Sequence, residues 1–151
     1  LGLSPVRGQA DWTEGRAAVP VAWGGYAVPT GTGLLFGATH ERDQTDPVVS
    51  DAASETNRAT LARRFPLWAA EIDHGGPTAR RAAIRAATPD RLPLAGAVPG
   101  REGLFVLGGL GSRGFCAAPL LAEHVAAMVA DRPSPLPRDL ARRVDPLRLT
   151  S

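Results

Sequence analysis

The sequence predicts an α+β fold: an antiparallel sheet with flanking helices, closed by a single βα unit. Three observations carry this. Strand patterns cluster in the first 40 residues, a helix pair interrupts between residues 51 and 72, and a strand, a glycine turn and a helix follow near the end. A parallel sheet needs strands and helices in alternation, which this order lacks. A lone βα unit cannot build a doubly wound sheet, so it reads as part of a domain whose remainder precedes this chain.

Leu3 to Trp12 alternates apolar and polar residues loosely and reads as a strand. Val19 to Val28 reads as another, with Gly24-Gly25 marking a turn or a close backbone approach before Tyr26. Pro29-Thr-Gly-Thr-Gly33 is a turn, and Leu34 to Thr39 returns as the partner strand of a hairpin. Glu41 to Ser50 is polar, contains Pro47 and reads as a loop. Asp51 is the expected N-cap of a helix through about Phe65, with Ala53, Leu61 and Phe65 on its apolar side. Pro66 opens a second, short helix that would bury Leu67, Trp68 and Ile72, and His74-Gly-Gly-Pro77 ends it. Arg80 to Ala87 is a strand candidate. The turn-rich Thr88 to Pro93 follows, and Leu94 to Val98 pairs again.

Leu104 to Leu107 is an uninterrupted apolar run, as expected of a strand buried on both faces. Pro119 to Ala130 places Leu120, Leu121, Val125, Met128 and Val129 at helical spacing. Gly108, Gly109, Gly111 and Gly114 lie between them. Such an order puts backbone N–H groups at a helix N-terminus, where they attract an anion or an electron-rich carbonyl. The tail after Asp131 is proline-spaced, with one short helix around Leu136 to Val144.

Two motifs almost fit the glycine turn. Gly109-Leu-Gly111-Ser-Arg-Gly114 is literally G-x-G-x-x-G, but a dinucleotide fingerprint needs a second strand after the helix. Pro133, Pro135 and Pro137 stand where that strand would run. A nucleophile elbow at Ser112 would need glycine at Leu110. His124, on the helix that begins at the serine, cannot fold back as its base, so a hydrolase is disfavoured.

Composition narrows the classes further. The 151 residues suffice for a real core, and 44% hydrophobic with 21% charged residues is ordinary for a globular protein. Net charge is +2, too little to announce a nucleic-acid surface over the whole chain. Cys116 stands alone, which favours a reducing compartment, and His40, His74 and His124 are too scattered for a metal spacing. No apolar run approaches membrane-spanning length and no signal peptide opens the chain, so a cytoplasmic location without membrane contact is expected. Residue 1 is Leu, as in a piece of a longer protein.

Arg85-Ala-Ala-Thr-Pro-Asp-Arg-Leu-Pro-Leu-Ala-Gly96, Gly103 to Gly114 and Ala118-Pro-Leu-Leu-Ala-Glu123 together resemble the C-terminal half of FAD-dependent oxidoreductases of the D-amino-acid oxidase and glycine oxidase class. Pro5-Val-Arg-Gly-Gln9, Gly25-Tyr-Ala-Val-Pro29, Phe36 to Asp43 and the tail motifs Pro135 to Leu140 and Asp145 to Arg148 extend the likeness over nearly the whole chain. Within that class, the glycine turn and the tail look most like a bifunctional enzyme that modifies the wobble uridine of tRNA.

The resemblance implies a split FAD-binding domain, with an antiparallel substrate domain inserted into it. On that basis residues 1–100 are substrate-domain-like, 101–131 are the returning βα unit and 132–151 are a tail. The family's N-terminal G-x-G-x-x-G and ribose-binding acid are absent. The chain is therefore expected to lack the pyrophosphate end of the FAD site and to be empty and inactive alone. The complete enzyme would use FAD to remove a carboxymethyl group from a modified uridine in tRNA, releasing glyoxylate. Its expected partners are tRNA as substrate, an upstream FAD-domain half and an upstream S-adenosylmethionine-dependent methyltransferase domain. A free-standing glycine or D-amino-acid oxidase and a non-catalytic tRNA-recognition module are the alternatives.

Amine oxidation by flavin depends on placement more than on a protein base, so no catalytic side chain is assigned. A substrate carboxylate is the natural handle and arginine its bidentate clamp. The family's substrate-side arginines align with Arg85 and Arg113, and a substrate-facing tyrosine aligns with Tyr26. Arg113 at a helix start opposes the macrodipole, which a nearby anion would explain; an exposed strand arginine at 85 is commonplace. Tyr26 competes with a half-buried core role. Gly109, Leu110, Gly111, Ser112, Arg113 and Gly114 form the expected cofactor-binding turn, facing the flavin carbonyl. The plain alternative is tight helix–strand packing. His40-Glu-Arg-Asp43 reads as a wet loop, and Trp12, Trp23 and Trp68 as core or interface residues.

Overall fold

The computed structural model describes residues 2–14, 19–72 and 79–150. The chain divides into two compact units, Val6–Ile84 and the pair Leu1–Pro5 with Arg85–Ser151. Residues 85–100, grouped with the front of the chain in the sequence reading, thus cluster with the glycine turn.

The first unit is built on β1 (Ser4–Glu14), β2 (Val21–Ala22), β3 (Tyr26–Pro29), β4 (Gly33–Gly37) and β5 (Glu41–Arg42) in the order β2-β3-β4-β1-β5, with β6 (Ala79–Ala87) also pairing β1. The predicted hairpin is β3–β4, antiparallel from Tyr26↔Gly37 to Pro29↔Leu34. The single strand expected over Val19 to Val28 is instead two. Gly24, at φ 130°, breaks it, and β2 folds back on β3. A Cβ on Gly25 would lie 2.9 Å from the Gly37 carbonyl oxygen, so this pair is both a turn and a close approach. The expected loop at 41–50 begins with β5, held against Val6 and Arg7.

Helix α1 (Asp51–Arg64) is capped by Ser50, not Asp51: the Ser50 hydroxyl accepts from the Ala53 N–H at 3.2 Å. Asp51 takes the first helical position, where its charge suits the dipole. Helix α2 (Pro66–Ile72) starts at proline as expected, and Ile72 is buried, but Leu67 is 79% exposed. The predicted stop at 74–77 lies outside the described residues. Ala27, Leu34, Phe36, Leu61 and Ile72 form the core, edged by Trp23, Phe65 and Trp68. Phe65 stacks on Trp68 at 4.7 Å and meets Trp23 edge-on at 5.1 Å. Both tryptophans are packing residues.

A row of polar side chains on β1 is buried as well. Arg7, Gln9, Asp11 and Thr13, two residues apart and so on one face, are each at most 5% exposed. Asp11 accepts from Ser54 Oγ at 2.6 Å, Asn57 Nδ2 at 2.6 Å and Gln9 Nε2 at 3.2 Å. Gln9 Oε1 accepts from the Ser50 N–H at 2.8 Å, and Arg7 pairs with Glu41 at 2.6 Å while donating to the Val48 carbonyl. This chain of partners pins the loop before α1 and the first turns of α1 to the sheet.

The second unit pairs β7 (Leu94–Ala97) with β8 (Phe105–Gly108), antiparallel, beneath α3 (Gly114–Val129) and α4 (Arg138–Val144). Ala95, Leu121, Leu136 and Val144 form its core. β8 is not buried on both faces in this chain: Leu107 is 38% exposed, as is much of Leu104 just before it. Helix α3 begins at Gly114, next to the expected start at Ser112–Arg113, and Pro119 lies inside it. Of its predicted apolar side, Leu121 is buried and Val125 packs at the core edge, whereas Leu120, Met128 and Val129 are exposed. His124 is the other buried residue of the helix. The tail ends in a 3-10 turn (Pro146–Leu149) tied by Arg148, which bonds Asp90 at 2.7 Å and the Leu92 carbonyl at 2.8 Å. That arginine holds the Asp90 carboxyl at about 2, below its ordinary 3.8.

Candidate cofactor-binding turn

The glycine turn leaves β8 through Gly109, at φ 60°, and Gly111, at φ 58°, both in the left-handed region where a side chain is strained. Their surroundings differ. A Cβ on Gly109 would meet Thr88 Cγ2 at 2.9 Å, so this glycine is buried against the 88–94 turn. A Cβ on Gly111 would meet nothing within 4 Å. Gly114 is tight again, its Cβ position 3.2 Å from Leu110 Cβ. Packing therefore accounts for Gly109 and Gly114, and an open backbone cradle remains at Gly111.

Gly111–Arg113 form a 3-10 turn that runs into α3, and neither helix start carries a side-chain cap. The first-turn N–H groups have no intrahelical acceptor, so they offer partial positive charge to an incoming oxygen. The apolar edge continues at Phe115, which is fully exposed in the first turn of α3. An N–H cradle beside an exposed aromatic fits the carbonyl edge of a flat heteroaromatic ring. The residues present thus suit the flavin ring of FAD.

Arg113 closes the 3-10 turn, is exposed, and makes no hydrogen bond or ion pair among the described residues. Arg85 is exposed near the end of β6, three residues before Thr88, whose methyl fills the space a side chain on Gly109 would need. The chain thus brings the Arg85 strand end and the glycine turn into one compact unit. Tyr26, half-buried at the start of β3, belongs to the other unit.

The near-miss motifs fail in the structure as they do in the sequence. After α3 the chain turns at Asp131, at φ 50°, and no strand follows among the described residues. His124 Nδ1 lies 2.7 Å from Ser134 Oγ, which also accepts from the Leu136 N–H, so His124 is committed to the tail and not to Ser112. Neither this pair nor the Asp90–Arg148 lock was foreseen; only their type, a His on an apolar helix face and an Arg in the last turn, is visible in the sequence. Among the described residues no group of three or more His, Cys, Asp or Glu could hold a metal ion, and no helix is long and apolar enough to cross a membrane. An open cleft of about 430 Å³ in the first unit, beside Trp12, Glu14, Arg80 and Arg81, contains none of the expected site residues.

Comparison with known proteins shows the family. Residues 2–128 match the family described as FAD dependent oxidoreductase. The chain is 55% identical over 149 residues to the tRNA 5-methylaminomethyl-2-thiouridine biosynthesis bifunctional protein MnmC of Caulobacter vibrioides, covering 99% of this chain and 25% of that protein. It is 37% identical to the protein of the same name from Methylibium petroleiphilum, covering 97% of this chain and 27% of that one. The chain spans about a quarter of the length of these relatives. Among solved structures, glycine oxidase from Geobacillus kaustophilus superposes with a TM-score of 0.80 at 27% identity, covering 96% of this chain and 39% of that one. Iminodiacetate oxidase from a Chelativorans strain shares the fold, with a TM-score of 0.76 at 21% identity over 95% of this chain and 40% of that one.

Proposed function

The chain belongs to the FAD dependent oxidoreductase family, and from that membership we propose that it forms the flavin-ring and substrate side of a longer enzyme of tRNA wobble-uridine modification. The observation that carries this reading is the uncapped helix start at Gly111–Gly114, with open space over Gly111. The 55% identity to MnmC supports tRNA as substrate. Exposed Leu104, Leu107 and Phe115 would pack against the remainder of the FAD domain, and the pyrophosphate end of the cofactor would be held there.

When bound, FAD supplies a two-electron acceptor for oxidation of a carbon–nitrogen bond. The residues of this chain do the placing. First-turn N–H groups around Gly111 and Ser112 would hold the flavin's carbonyl edge and offer partial positive charge there. Arg113 and Arg85 hold the carboxylate of the carboxymethylamino group. Oxidation of the methylene beside the amine gives an imine, and water then releases glyoxylate and leaves an aminomethyl uridine. The enzyme would act in the cytoplasm, where its RNA substrate is.

Glycine carries the same carboxylate and methylene, and the 0.80 superposition on a glycine oxidase favours free glycine as a second reading. In the complete enzyme, Arg113→Ala is expected to raise KM at least about tenfold, since a bidentate charged bond contributes roughly 1.5–3 kcal/mol. Unchanged kcat and KM in that variant would remove the clamp from the account.

A further inference from the structure

The C-terminal segment of the chain is basic. Residues 132–148 hold five arginines and two aspartates, more net positive charge than the +2 of the whole chain. Arg148 is consumed by the fold through Asp90, the Leu92 carbonyl and the Asp145 carbonyl. The other four, Arg132, Arg138, Arg142 and Arg143, are exposed and make no side-chain hydrogen bond or ion pair among the described residues. The acids beside them are Asp131, Asp139 and Asp145, and Asp145 accepts from the Leu147 N–H.

Helix α4 shows why these arginines face outward. Val144 is buried and Ala141 packs against the core of its unit, which fixes the inner side. Arg138 and Arg142, four residues apart, therefore lie on one outer face about 6 Å apart along the axis, close to one sugar–phosphate repeat. Arg143 flanks them. Arg142 and Arg143 in the last turn suit the helix dipole, but Arg138 in the first turn opposes it.

We propose that Arg132, Arg138, Arg142 and Arg143 form a contact surface for the phosphodiester backbone of tRNA. Guanidinium forks bind phosphate oxygens in pairs and without regard to base sequence, so the surface contributes affinity and leaves the choice of nucleotide to the flavin site. This rests on tRNA being the substrate.

The test uses the complete enzyme, wild type against the combined variant Arg132→Gln, Arg138→Gln, Arg142→Gln and Arg143→Gln. Affinity for a tRNA transcript is measured between 50 and 200 mM salt. Four lost phosphate contacts should lower the slope of log affinity on log salt by about 3, so the wild type loses on the order of 50-fold more affinity across that range than the variant. KM for modified tRNA should rise, with kcat at saturating tRNA and the melting temperature unchanged, and the four-lysine version should retain most of the binding. Equal affinity and slope in wild type and variant, with the wild type oxidising tRNA, would overturn the surface and spare the substrate assignment. A wild type that neither binds nor oxidises tRNA would remove both. Charge-dependent binding to anionic vesicles with tRNA affinity untouched would assign the arginines to a membrane and overturn the proposal.

Discussion

Gly109 and Gly111 have nearly the same φ, yet alanine at each should have opposite consequences. Both substitutions force a side chain into the left-handed region, at a cost of about 1–2 kcal/mol. At Gly109 the new methyl also sits 2.9 Å from Thr88 Cγ2 in a buried position, which adds overpacking of about 1–3 kcal/mol. At Gly111 the methyl meets no protein atom within 4 Å, so the stability loss stops at the backbone term. That methyl enters the space proposed for the flavin's carbonyl edge. The assay is denaturant unfolding together with flavin titration of the complete enzyme. Gly109→Ala should be destabilised by about 2–5 kcal/mol while its folded fraction keeps its flavin affinity. Gly111→Ala should fold nearly normally and bind FAD at least about tenfold more weakly, the equivalent of roughly 1.4 kcal/mol. Thr88→Ser removes Cγ2 and keeps the hydroxyl bond to the Leu92 carbonyl, so it should recover part of the Gly109→Ala loss in a double-mutant cycle. Full flavin affinity in Gly111→Ala would refute the open-cradle reasoning.

Two further predictions concern the scaffold. Arg148 depresses the Asp90 carboxyl from 3.8 to about 2. A depressed acid contributes stability above its unfolded value, and that stability is lost as pH falls from about 4 to about 2. With Asp90 a third exposed, the effect is about 1–2 kcal/mol after solvent screening. Urea unfolding should therefore separate wild type from Arg148→Leu at pH 6 and bring them closer at pH 2.5; a gap independent of pH would exclude the ionic origin. Asn57→Ala removes donors to Asp11 and to the Gln9 carbonyl, leaving a fully buried carboxylate short of partners. It should cost about 2–3 kcal/mol in chemical denaturation, and a loss below about 0.5 kcal/mol would mean that the polar row does not brace α1.

Punctuating residues made the hairpin, α1 and α2 legible: the glycines of Pro29–Gly33 mark the turn, and Asp51 and Pro66 mark the helix starts. The boundaries were less legible where two residues compete for one role. Ser50 and Asp51 are both good caps, and only the backbone shows that the serine is extended and the aspartate already helical. The start of α3 near Ser112 was legible, but the three-residue 3-10 turn over Gly111–Arg113 is too short to leave a periodic signal. Apolar spacing on Leu104, Leu107, Leu120 and Val129 marks what would be buried, and cannot say whether the partner surface lies in the same chain. Asp90–Arg148 and His124–Ser134 are pairings across the sequence that no local pattern specifies. The glycine turn itself was legible, but the different surroundings of Gly109 and Gly111 depend on the 88–94 turn, which no local pattern brings there.

The most direct test is the visible spectrum of the complete enzyme, recorded without oxygen before and after addition of unmodified tRNA, carboxymethylaminomethyl-modified tRNA or glycine. The account predicts flavin absorbance bleached by the modified tRNA alone. Bleaching by glycine alone would move the enzyme to the small amino-acid oxidases, and a complete chain with no flavin absorbance would contradict the cofactor seat at Gly111.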